Sequence, residues 1–138
     1  MNLKLAPLAV LAALAAAPAF AQTFTPEDLI HRHLDFMAKG DADGIANDFA
    51  VDGVAVFGAT SSAVGRDAIR AQFAKMVAGP AARGIKADKI WSEKNAGFLQ
   101  WEAGPVHGVD VFVIHDNKIQ SQSAYVAGPP GPPPAAQK

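Results

Sequence analysis

The 138-residue chain has no cysteine, so it can form no disulfide, carries no lipid-anchor cysteine and offers no thiolate to a metal. It also lacks an excess of either charge. Twelve Lys+Arg stand against thirteen Asp+Glu, and a surface this close to neutral argues against nucleic acid as a partner. There is no twin arginine and no internal repeat. What the chain does have is an apolar opening, MNLKLAPLAVLAALAAAPAFAQ, with Lys4 in a short basic start, an apolar run from Leu5 to Ala17, and Ala19-Phe20-Ala21 as a small-x-small cleavage site. Residues 1–21 thus read as a secretory signal peptide, too short and too well flanked by a cleavage site for a membrane anchor. The expectation is an exported protein, periplasmic or secreted, with no membrane association after cleavage. Loss of Lys4 leaves 11 Lys+Arg against 13 Asp+Glu, a net charge of −2.

At the other end, residues 128–138, GPPGPPPAAQK, hold five prolines in eleven positions and no periodic apolar face. Such a segment is expected to be a disordered, partly polyproline II tail. Residues 22–127 between these ends suffice for one domain with one core.

Thr25-Pro26-Glu27-Asp28 is a helix start: a capping hydroxyl, proline at the first helical position, and two acids where the helix dipole favours them. Ile30, His33, Leu34 and Met37 follow at i, i+3, i+4, i+7 and so share one core-facing stripe. Gly40 ends this helix, and Asp41 caps a short second one through Ile45 and Phe49. Asp52-Gly53 then turns the chain into a strand at Val54 to Phe57. Thr60 to Gly65 is small and polar and reads as a loop. A third helix from Arg66 carries Ile69, Phe73, Met76 and Val77 on one face and stops at Gly79-Pro80.

From Ile85 the apolar period changes from about 3.6 to 2. Strands are expected near Ile85 to Glu93, Gly97 to Ala103, His107 to His115 and Lys118 to Ala127, with turns short enough to require antiparallel pairing. Helices first and a strand meander afterwards give an α+β fold, three N-terminal helices packed on one face of a curved antiparallel sheet. The cup between helices and sheet is the natural place for a ligand.

Asp110 interrupts the run GVDVFVIH and shares a strand face with Phe112 and Ile114, while Val109, Val111 and Val113 point the other way. Burying an unpaired carboxylate costs several kcal/mol or forces protonation. If this face lines the cup, Asp110 is a candidate acid, base or hydrogen-bond donor; otherwise it fixes the sheet or sits at a dimer edge. His33, beside Ile30 and Met37, is the candidate partner for an acid–base dyad if the cup brings it within hydrogen-bond reach. Gln122 shares parity with Ala124 and Val126 and offers a polar contact. Trp91, more than Trp101, is the candidate aromatic wall. No metal site is expected: His31 and His33 diverge by roughly 200° round a helix, and His107 and His115 lie at opposite ends of one strand.

The order of elements, together with FMAKGDADGIANDFAVDGVAVFG, GRDAIRAQFAKM and VDVFVIHDNKIQSQSAYV, resembles the SnoaL-like, ketosteroid isomerase-like branch of the nuclear transport factor 2-like superfamily. The resemblance covers essentially the whole of residues 22–127. It implies a conical, cystatin-like cup with a deep apolar pocket, often in a homodimer, on a scaffold that serves isomerases, dehydratases, cyclases, hydrolases and plain binding domains. Steroid isomerases of this kind use a helix tyrosine, a first-strand aspartate base and a later aspartate kept protonated by an apolar site. By motif position these fall on His33, Phe57 and Asp110. Phenylalanine takes no proton, so the resemblance implies an apolar wall at Phe57 and argues against steroid isomerisation. The resulting expectation is a small apolar ligand held by Asp110, His33, Met37, Phe57, Trp91, Phe112, Ile114, Gln122 and Val126, with no cofactor. The alternatives are a cofactor-free isomerase, dehydratase or cyclase using Asp110 with His33, or an assembly domain.

Overall fold

The computed structural model describes residues 23–127, so the signal-peptide and proline-tail readings lie outside the described residues. Helix α1 spans Pro26–Lys39 and begins in a full capping box, in which Thr25 accepts from the Asp28 backbone N–H and the Asp28 carboxylate accepts from that of Thr25. It ends at Gly40, whose φ of 71° is the left-handed conformation that closes helices. Leu29, Ile30, His33 and Met37 are its buried stripe, each apolar member contributing roughly 1.5–3 kcal/mol. Helix α2, Ala42–Asp48, is capped by Asp41, and α3 is Arg66–Ala78. Among the described residues no helix is long and apolar enough to cross a membrane.

The strands are β1 Phe49–Phe57, β2 Ser61–Val64, β3 Lys86–Glu93, β4 Ala96–Ala103, β5 Val106–His115 and β6 Lys118–Ala127. They form one six-stranded sheet in the order β2-β1-β6-β5-β4-β3. Helices packed on one face of this sheet make the expected α+β cup. Three details depart from the sequence reading. Thr60 to Gly65 is not all loop, because Ser61–Val64 pairs with the end of β1 as an edge hairpin. Asp52-Gly53 is an irregularity within β1, which starts at Phe49 and shifts register before Val54. The sheet is antiparallel except where β1 lies parallel to β6, a pairing between the first and last strands that no local turn announces. A four-residue helix α4, Pro80–Arg83, follows α3.

Strand parity matches the alternation in the sequence. In β5, Gly108, Asp110, Phe112 and Ile114 are buried while His107, Val113 and His115 are exposed. In β4, Gly97, Leu99 and Trp101 face inward. The core joins Leu29, Ile30 and Ile45 to Phe49, Ile69, Phe73, Leu99, Phe112 and Ile119. Beneath α1, Ile30 and Ile114 close over Gly97, where a Cβ would come within 2.7 Å of Ile30 Cδ1.

Candidate functional site

A cavity of about 140 Å³ opens between α1, α3 and the inner face of the sheet. Its wall is almost entirely carbon: Met37, Phe57, Phe73, Leu99 and Trp101 are prominent in it, with His33, Asp110 and Gln122 as the polar members. The size is close to the roughly 150 Å³ that holds a single benzene ring, and well below the roughly 300–1,000 Å³ of pockets for drug-sized ligands.

Asp110 is 7% exposed and accepts two hydrogen bonds, one on each oxygen. Trp101 Nε1 donates to Oδ1 at 2.8 Å and Gln122 Nε2 to Oδ2 at 2.7 Å. Burial raises the carboxyl's pKa above its ordinary value, and the bonds from Trp101 and Gln122 partly offset that rise. The local sequence explains the arrangement. Trp101 stands opposite Gly108 on β5, where a Cβ would overlap the indole, so glycine lets the ring lie across the strand and reach Asp110.

His33 is 2% exposed and has Phe49, Phe73 and Phe112 edge-to-face around its ring. Burial drives its pKa down to about 4, so the imidazole is neutral at neutral pH. Its Nδ1 has no hydrogen-bond partner, and Gln122 Oε1 is likewise buried and unpaired. The expected dyad is not formed in this structure. Both hydrogen bonds to Asp110 come from Trp101 and Gln122, not from His33, which shares the cavity wall without bonding the carboxylate.

Of the expected ligand-binding residues, Met37, Phe57, Gln122 and Val126 line the cavity, and three others do not. Trp91 pairs with Phe98 on the outward parity of edge strand β3 and stacks on it at 5.0 Å, with the Lys89 ammonium over its ring. Phe112 is wholly buried against His33 rather than open to the cavity. Ile114 lies at the closed end of the cup against Ile30. The inward face of β5 therefore passes from cavity to solid core between Asp110 and Ile114. Sequence reasoning missed Phe73, Leu99 and Met76 as wall residues and ranked the wrong tryptophan first. The available signal was the inward parity of Trp101 with Leu99.

Away from the cavity, Asp88, Glu102 and His107 bring one potential ligand atom each within 4.8 Å of one another. Glu102 and His107 face each other across β4 and β5, and Asp88 sits where the β3 register shifts. This is a carboxylate–imidazole group of the kind that can hold a divalent cation, on the side of the sheet opposite Trp101.

The family model for the SnoaL-like domain matches residues 30–122. Among curated proteins, none matches the chain. Many solved structures share the fold, among them the following three. An NTF-2 like protein of unknown function from Burkholderia xenovorans LB400 is 18% identical over 78% of this chain and 87% of its own, with a TM-score of 0.65. A hypothetical protein with a ketosteroid isomerase-like fold from Catenulispora acidiphila DSM 44928, in complex with trimethylamine, is 14% identical over 73% and 86%, with a TM-score of 0.60. An LEH-like epoxide hydrolase from M. tuberculosis is 16% identical over 74% and 82%, with a TM-score of 0.58. At such identities the likeness is one of fold.

Proposed function

The chain belongs to the SnoaL-like domain family, and we propose that it binds a small, largely apolar molecule in the cup, with one polar group of that molecule turned towards Asp110. The observation that carries this reading is the 140 Å³ carbon-walled cavity with one carboxylate at its wall, both oxygens already held by protein donors. A wall of this kind gains affinity from burying apolar surface, and a single polar group sets orientation. Phe57, in contact with Phe73 at 5.3 Å between ring centres, supplies wall where a first-strand base would stand. The trimethylamine held by the Catenulispora neighbour is a molecule of similar scale. The test is calorimetric titration of the protein with cyclohexanol and benzyl alcohol. One-to-one binding to the wild type and none to Ala124→Phe, which fills the cavity, is the expected result. A wild type that binds neither compound sinks the reading.

A second reading, a cofactor-free isomerase, dehydratase or cyclase, is favoured by the raised pKa of Asp110 at the edge of an apolar space, the setting in which a carboxyl group moves protons near neutrality. Here Asp110 transfers the proton, and His33 is a neutral part of the wall rather than a cation.

We further propose export, on the pattern of residues 1–21, and a homodimer formed through the outer sheet face. There the Trp91–Phe98 stack continues into Val111, and Val109 lies opposite Tyr125, an apolar patch on the side away from the helices. Sedimentation equilibrium should give a dimer for wild type and a monomer for Val111→Glu. A monomeric wild type refutes the pairing.

A further inference from the structure

A second concavity, about 210 Å³, adjoins the cavity on the side of α4 and shares three of its wall residues, Met76, Ile85 and Trp101. Its other walls include Ala82 of α4, Ala103 at the end of β4 and Val106 at the start of β5. All of these except Trp101 are partly exposed. The only side-chain hydrogen-bonding group in the set is the Trp101 indole N–H, and Asp110 already occupies it. The side chains of the groove thus offer a ligand neither charge nor a free donor. Small side chains at Ala82 and Ala103 leave it hollow, while Met76, an unbranched and adaptable side chain, stands between it and the cavity.

From this continuity we infer that the ligand is longer than the cavity: a polar-headed molecule whose unbranched apolar extension leaves past Met76 and Ile85 and lies in the groove beside α4. The inference rests on the reading of the cavity as a binding site and adds a second, chain-length-selecting subsite to it. A cavity of 140 Å³ is filled by about six carbons. Any further methylene must emerge, and the groove is the apolar surface that meets it. Ala82 and Val106 are then specificity-determining residues, acting on long ligands and leaving short ones alone.

The test is a titration with the straight-chain primary alcohols from butanol to decanol, read by Trp101 fluorescence in a Trp91→Phe background. Affinity is expected to rise about fourfold per methylene and to keep rising beyond hexanol. In Ala82→Phe, which fills the groove, and in Val106→Phe, which fills it from the opposite wall, the rise should stop near hexanol with butanol affinity unchanged within about twofold. If wild-type affinity levels off at hexanol, or if both variants leave decanol binding intact, the groove is not a subsite while the cavity reading stands. If butanol, pentanol and hexanol fail to bind at all, the cavity reading falls and this inference with it.

Discussion

Trp101 Nε1 donates to Asp110 Oδ1 at 2.8 Å, although the two residues are not cross-strand partners: Trp101 faces Gly108, and Asp110 faces Leu99. The bond is diagonal, and it exists because the position opposite the indole has no side chain. A Cβ at Gly108 would occupy the space of the indole ring. Gly108→Ala is therefore expected to push Trp101 off Asp110, combining an overpacking cost with a buried carboxylate that has lost one donor, about 3 kcal/mol in all. Urea denaturation measures the loss. A near-ultraviolet circular dichroism spectrum shows whether the Trp101 signal moves with it.

Asp110→Asn and Asp110→Ala should separate structure from chemistry. Gln122 Oε1 is buried and unpaired, so a rotated Gln122 amide can accept from the new side-chain amide while its carbonyl still accepts from Trp101. Because burial raises the carboxyl's pKa, the ionised form opposes folding as pH rises above the ordinary carboxylate value, and Asp110→Asn removes that penalty. Stability of Asp110→Asn at pH 7 should equal or exceed wild type. Asp110→Ala, which strands two buried donors, should lose about 3 kcal/mol. If a substrate is found, Asp110→Asn should abolish turnover at a melting temperature no lower than that of wild type. Unfolding of Asp110→Asn would mark the carboxylate as structural.

Much of this site was legible in the chain because strand periodicity is short and strict. The alternation around Asp110 puts it on one strand face with Phe112, a face the structure turns inward, and the stripe Ile30, His33, Met37 puts the imidazole on the core side of α1. The depth of the cup was not legible. Parity says which face a residue takes, but not whether that stretch of the face is hollow or filled, which is why Phe112 and Ile114 were expected in the wall and lie in solid core. Trp91 was misplaced because β3 is an edge strand whose register relative to β4 shifts near Asp88. The parallel β1–β6 pairing and the β2 hairpin were also hidden, the first being set by the global path of the chain and the second by a four-residue strand with weak apolar signal.

His33 should make the fold acid-labile. Its folded pKa is lowered to about 4 from the ordinary 6.5, so the unfolded chain takes up this proton first. Stability from His33 is complete above pH 6.5 and is lost as pH falls towards 4, by roughly 3 kcal/mol over the full window. His33→Phe keeps an aromatic ring among Phe49, Phe73 and Phe112 and has no proton to gain. Its urea midpoint should therefore fall less than that of wild type between pH 6.5 and pH 4. Parallel pH profiles for the two proteins would assign the lability to other groups.

The link between α1 and α2 is electrostatic and should be tested by the pH dependence of its loss. Arg32 Nη2 and Nε reach the two oxygens of Asp48 at 2.6 and 3.1 Å, a bidentate pair in which the Asp48 side chain is 6% exposed and the Arg32 side chain 29% exposed. Burial raises the Asp48 pKa, and the hydrogen bonds and charge of Arg32 pull it back. Arg32→Ala leaves that carboxylate buried and unpaired, which should cost roughly 3 kcal/mol at pH 7. Arg32→Lys should recover only part, since an ammonium cannot reproduce the fork. Without Arg32 the Asp48 pKa rises further, so on acidification the variant protonates Asp48 before wild type does and escapes its penalty. The gap between the two proteins, measured as urea midpoints from pH 7 down to pH 4, should therefore narrow. A gap that stays constant over that range would mean that the loss in Arg32→Ala comes from packing, such as the stacking of Arg32 on Phe24 at 4.3 Å just before α1, and not from the charge pair with α2.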